Sequence, residues 1–283
     1  MKDATDMVAR LAVLDEVADA LAARHDWHPI DAVVFPGGFL SAPDDAAAMS
    51  FIRKLKKHSP NVHLVLGVDN NGEQLALAFN RKGRAGLARK IFPVGEDVDG
   101  KIMPPIVLHE KDFADEKRII HLANGSKALL CVCYDMFGLG DTMRGKADKL
   151  SKAPVVEDAD GMMHDALSKK SILKRAFNAH RAMIQREKPD VALATIHRFE
   201  KPGQDIFWQR HGIATASAAM KGGKAVAAAH IGKLPENLQS MTLAANDVPT
   251  AHLEQGMKRK MRKMLPRRAF VMRGTGRGIL RLF

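Results

Sequence analysis

An unbroken apolar run in this 283-residue chain ends in two cysteines and a tyrosine–aspartate pair: Leu129-Leu130-Cys131-Val132-Cys133-Tyr134-Asp135. Turn-forming Gly138 and Gly140 follow, so the run predicts a short strand buried on both faces. A thiol where such a strand gives way to a loop sits on a rigid support and still reaches a pocket, which suits a nucleophile. Cysteine also fills cores as a small hydrophobe, and both roles are open here. A thiol with a pKa near ~8.5 is mostly protonated at neutral pH, so attack on an amide or nitrile carbon needs a nearby base or cation. Asp44, Asp45 and Asp69 stand near expected strand ends and are candidate carboxylates; Asp44 and Asp45 also suit the first turn of a helix. His197, His211 and His230 lack a metal-ligand spacing, and Cys131-x-Cys133 is not a zinc knuckle. No metal and no cofactor is expected. Two cysteines so close in a strand make poor disulfide partners, which points to a reducing, cytoplasmic setting.

The elements that must hold these residues read as alternating helices and strands. Val8, Leu11, Leu14, Val17 and Leu21 recur at helical steps, so residues 6–24 predict an amphipathic helix. Residues 31–36 read as a buried strand with a sharp exit at Pro36-Gly37-Gly38. Pro43, Asp44 and Asp45 open a second helix to about Lys57. His63–Gly67 and Gln74–Phe79 form a hairpin about Asn70-Asn71-Gly72. A strand over 87–92 continues the sheet. Residues 97–118 and 140–162 read as charged or polar surface. A hairpin turns at Asn124-Gly125, a long helix covers about 164–187, and Val191–Ile196 is a strand ending at His197. A helix over 205–220 and strands over 224–230 and 240–245 follow. Strands alternating with helices, then hairpins, imply a layered α/β fold.

Net charge is +12, yet after Glu254 the chain has ten Lys and Arg and no acid, which leaves only +2 for the rest. The tail is a basic arm. It offers an anionic partner a contact, or is a solvated or subunit-wrapping extension with few aromatics for base stacking. No apolar stretch approaches the ~20 residues of a membrane span.

Taken in order, these features resemble the nitrilase (carbon–nitrogen hydrolase) superfamily. Leu130-Cys131-Val132-Cys133-Tyr134-Asp135 is similar to its cysteine motif, with Cys133 in the nucleophile's place. Arg89-Lys90-Ile91-Phe92-Pro93-Val94-Gly95-Glu96 is similar to its lysine motif. Pro189-Asp190 through His197 to Trp208 and Arg210 follows a later pattern. The resemblance implies a four-layer α-β-β-α sandwich over residues 1–255, with 256–283 as a basic C-terminal extension. It also implies a homodimer or larger homo-oligomer, and hydrolysis of a small-molecule amide or nitrile through an acyl-enzyme. In that scheme Cys133 attacks, Lys90 holds the oxyanion and Glu96 assists. The family's first glutamate follows proline at a strand end; here Pro36 is followed by Gly37. The alternative is therefore a catalytically impaired, nitrilase-like binding or scaffold protein.

Overall fold

The computed structural model describes residues 4–23, 30–40, 45–56, 61–70, 73–93, 107–139, 155–165, 169–199, 208–221, 223–231, 242–245, 268–272 and 277–282. Glu96 lies outside the described residues. The chain is a mixed α/β protein.

Helix α1 (Ala4–Ala22) buries Val13, Leu14, Val17, Ala18 and Leu21, a stripe with helical spacing, and leaves Val8 exposed. Helix α2 (Asp45–Leu55) buries Ala48, Phe51, Ile52 and Leu55 in the same way. Both pack on a four-stranded sheet made of β1 (Ala32–Val34), β2 (His63–Asn70), β3 (Glu73–Asn80) and β4 (Gly83–Arg89), in that spatial order. A three-stranded sheet joins β5 (Val107–His109), β8 (Val155–Glu157) and β9 (Met163–Asp165).

The largest sheet has seven strands. Its sequence begins with β6 (Ile119–His121), β7 (Lys127–Val132), β10 (Val191–Phe199) and β11 (Lys224–Ile231). It is completed by β12 (Thr242–Ala245), β13 (Arg268–Met272) and β14 (Arg277–Leu282), and the spatial order is β13-β14-β12-β11-β10-β7-β6. Helices α3 (Lys169–Glu187) and α4 (Ala214–Ala219) contribute Ile172, Ala176, Met183, Ile184 and Ala216 to the core that includes β7 and β10.

The two-residue period of the strands sorts the core. Leu64, Leu66 and Val68 of β2, with Leu75, Leu77 and Phe79 of β3, pack with α1 and α2. Val65, Ala76, Ala78 and Ala88 point the other way and pack with Ile120, Ala128, Leu130 and Leu193 of the large sheet. Small residues on this inner face let the sheets come close: a Cβ on Gly86 would lie 2.5 Å from Ile120 Cγ2 and 3.1 Å from Leu130 Cδ1.

Four expectations shift. The strand expected over 87–92 is β4, seven residues from Gly83, because Asn80 Oδ1 accepts from the Lys82 amide (2.8 Å) and builds the turn from its own side chain. Residues 107–118 are not an irregular surface: β5 and two 3-10 turns follow one another, and Arg118 is fully buried. The polar loop contains β8, and residues 163–165 form β9 rather than opening the long helix, which starts at Lys169. Part of the basic tail is strand, since β14 pairs parallel to β12 and antiparallel to β13.

Candidate active site

Cys133 begins the 3-10 turn Cys133–Leu139 directly after β7. Its φ of 48° is in the left-handed region, uncommon for a residue with a side chain, and such conformations cost about 1–3 kcal/mol. The cost is met by the turn's anchor, Asp135. Its fully buried carboxylate accepts from the amides of Ile91 (2.8 Å), Phe92 (3.1 Å) and Val132 (3.3 Å), and pairs with Arg118 Nη1 (3.1 Å). Arg118 also donates to the Arg89 and Asp112 carbonyls. One carboxylate thus fixes the cysteine turn to the two residues that follow Lys90. Tyr134 stacks on Phe137 at 5.0 Å, and both meet Trp208 edge-on, closing the other side of the turn.

Lys90 directly follows β4 and is 5% exposed; its Nζ donates to Gln74 Oε1 at 2.7 Å, and Gln74 is buried too. In the β2–β3 ladder Gln74 stands opposite Asp69. Directly opposed antiparallel residues share a face with Cβ atoms about 4.5–5.5 Å apart. Asp69 and Gln74 follow the parity of Val65 and Ala76, so both face the large sheet.

Asp69 is met from that sheet by His197. The ring Nε2 lies 2.7 Å from Asp69 Oδ1, with both side chains 29% exposed. Ile196 pairs with Ala229 and Arg198 with His230, so His197 is the extra residue of a β-bulge in β10. Bulges re-aim side chains and are enriched beside active sites. The imidazole also hydrogen-bonds Cys133. Burial disfavours its charged form, but the charge and hydrogen bond of Asp69, and then Cys133, outweigh this and raise His197 to about 9.

The Pro36-Gly37-Gly38 turn completes the site. The Gly37 amide donates to Ile196 O (3.0 Å), while Phe35 and Leu40 stay bonded to β2. Arg10 Nη1 reaches from α1 to the carbonyls of Gly38 and Phe39, both at 2.7 Å. A Cβ on Gly37 would lie 2.9 Å from both the backbone N and the Nδ1 of His197; one on Gly38 would lie 2.6 Å from Asp69 Oδ2.

The structure therefore joins Cys133 to His197 and Asp69, and ties the backbone after Lys90 to the Cys133 turn. It does not describe Glu96. Cys131 faces the core, where burial pushes its thiol far up, so it is no nucleophile. Of the paired candidates, Asp69 and His197 were each visible in sequence as strand-end residues, but 128 positions separate them. The usable signal was the Gly37-Gly38 pair at the sharp exit of a strand. Trp208 packs against Phe137 and Tyr134. Among the described residues no cluster of three or more His, Cys, Asp or Glu is arranged for a metal, and no helix is long and apolar enough to cross a membrane.

No family model matches the chain, and no curated protein matches it. Solved structures do. The chain is similar to carbon–nitrogen hydrolase structures of the nitrilase superfamily. One is a carbon–nitrogen hydrolase from Helicobacter pylori G27, at 14% identity and TM-score 0.45, covering 83% of this chain and 75% of that one. Another is an amidase variant from Nesterenkonia sp. AN1 with the acetamide moiety of fluoroacetamide on its active-site cysteine, at 12% identity and TM-score 0.44, covering 83% and 73%. A second variant of that amidase, described as from the nitrilase superfamily, aligns at 11% identity and TM-score 0.44, over 84% and 78%. Overlap this loose says nothing about individual residues, and the chemistry rests on the side chains of this chain.

Proposed function

We propose that this protein is a hydrolase of carbon–nitrogen bonds in a small amide or nitrile, with Cys133 as nucleophile, built as a four-layer α-β-β-α sandwich. The observation that carries the reading is Cys133 itself, held in a left-handed turn at a strand end with its thiol on an imidazole. A core cysteine needs neither feature. The motif order in the sequence points the same way.

The sulfur attacks the carbonyl carbon and a tetrahedral oxyanion forms. Its collapse breaks the C–N bond and leaves a thioester on Cys133. Water then cleaves the thioester and restores the thiol. From a primary amide the products are ammonia and a carboxylic acid. A nitrile passes through a thioimidate and takes up two waters to give the same products. The Lys90 ammonium, steadied by Gln74, is the group that meets the oxyanion; removing such a donor costs about 10²–10³ in kcat. Glu96 assists proton transfer in this scheme.

The test is ammonia release from a panel of aliphatic and aromatic amides and nitriles, with peptide mapping of the trapped acyl group. Acylation confined to Cys133 and lost in Cys133→Ala is expected. Turnover that survives Cys133→Ala ends the reading.

A further inference from the structure

We propose that His197, oriented by Asp69, is the general base of the site, in the space that Gly37 leaves empty. This rests on the reading of Cys133 as nucleophile and names the residue that activates it.

A glutamate at position 37 would start from a Cβ 2.9 Å from His197 N and Nδ1 and 3.1 Å from Ile196 C, so any side chain at 37 displaces the β10 backbone and the imidazole together. The neighbouring turn is shaped to the same end. A Cβ on Gly67 would lie 2.2 Å from Pro36 O and 2.4 Å from the Gly37 Cα, which shows how tightly the turn is pressed against β2. Arg10 holds the turn from behind through two carbonyls. The bulge in β10 then places the imidazole over that backbone.

Chemistry follows. A thiol, an imidazole and a carboxylate in series form a nucleophile, its base and the group that orients the base. Asp69 occupies Nε2, so Nδ1 is the nitrogen left to take the proton. In the resting pair the Sγ–H bond is already broken and the proton sits on the imidazole, whose raised proton affinity keeps it there at neutral pH. The sulfur lone pair forms the S–C bond, and the carbonyl π pair moves to oxygen. The imidazolium then protonates the leaving nitrogen as the C–N bond breaks. In the second half the neutral imidazole takes a proton from water, hydroxide adds to the thioester carbon, and the departing sulfur recovers the proton. Charged groups around the ring are Asp69 from β2, Cys133 from the end of β7, and Lys90 behind Gln74 from β4; Arg10 lies beyond the glycine turn. His197 is catalytic in this scheme and Asp69 is a positioning residue.

The test uses the full chain and does not depend on turnover. Iodoacetamide alkylation of Cys133 is followed by mass spectrometry from pH 5.5 to 10, with Cys131 as internal reference. An isolated thiol of pKa near ~8.5 is about 1% thiolate at pH 6.5, so a paired thiol reacts up to about 100-fold faster there. The wild-type profile should stay high below pH 8, and His197→Asn should fall to the isolated-thiol curve. Asp69→Asn keeps the ring and loses its orienting charge, and should lie between. Ammonia release should drop about 10²–10⁴-fold in His197→Asn. Wild-type and Asp69→Asn profiles that superimpose overturn the proposal, even if His197→Asn fails to fold. If the profiles shift as expected while no amide or nitrile is turned over, the pair stands and the hydrolase reading falls.

Discussion

At the scale of single residues, the two cysteines separate cleanly. Cys131 faces dry core and its thiol is held protonated; Cys133 sits on a polar cluster. Cys131→Ala should leave alkylation of Cys133 and turnover intact and cost about 1 kcal/mol of stability, read by urea unfolding. Gly37→Glu should abolish low-pH alkylation of Cys133 because the new side chain displaces His197, backbone and ring together. A variant that instead alkylates like wild type would show that the ring can move aside without consequence. Cys133 and Lys90 are candidates that the sequence names because each sits in a local motif. Asp69 and His197 were not legible as a pair. Their partnership depends on two sheets facing each other, which leaves no local spacing to count.

At the scale of elements, the cysteine turn and the end of β4 are one unit because Asp135 and Arg118 bind both. Removing one member of a buried ion pair typically costs about 3–5 kcal/mol, since the other charge is left without compensation. Asp135→Ala should therefore lose stability on that scale in urea unfolding, and any folded fraction should show slowed alkylation of Cys133. Arg118→Met should cost a similar amount. Strand positions were largely readable from apolar runs and from Asn-Gly turns. The start of β4 was expected four residues late, at 87, because Asn80 and Gly83 bracket the turn without forming an Asn-Gly pair and the turn is held by the asparagine side chain. The buried Arg118 was hidden for a related reason: a charged stretch looks like surface until its partner, seventeen residues on, is seen.

At the scale of the whole molecule, two histidines set opposite pH limits. His197 is raised to about 9 in the folded chain, so its stabilising contribution is complete below pH ~6.5 and is lost as pH rises through about 9. His180 is fully buried, and burial, then the charge of Arg118, lowers it to about 3. Its contribution is complete above pH ~6.5 and is lost as pH falls toward 3. Urea midpoints should peak between these limits; His197→Asn should flatten the alkaline side and leave the acid side unchanged. At the sheet's far edge β13 carries Arg268, with Arg277 and Arg281 on β14 beside it, and charge near an edge opposes strand-to-strand association. Truncation after residue 255 removes both strands and should raise light scattering at low salt. The close approach at position 37 also joins two sheets. A Cβ there would press on His197 N and Ile196 C as well as on the ring, so even alanine at 37 pries β10 away from the Pro36 turn and opens the seam at which the site is assembled.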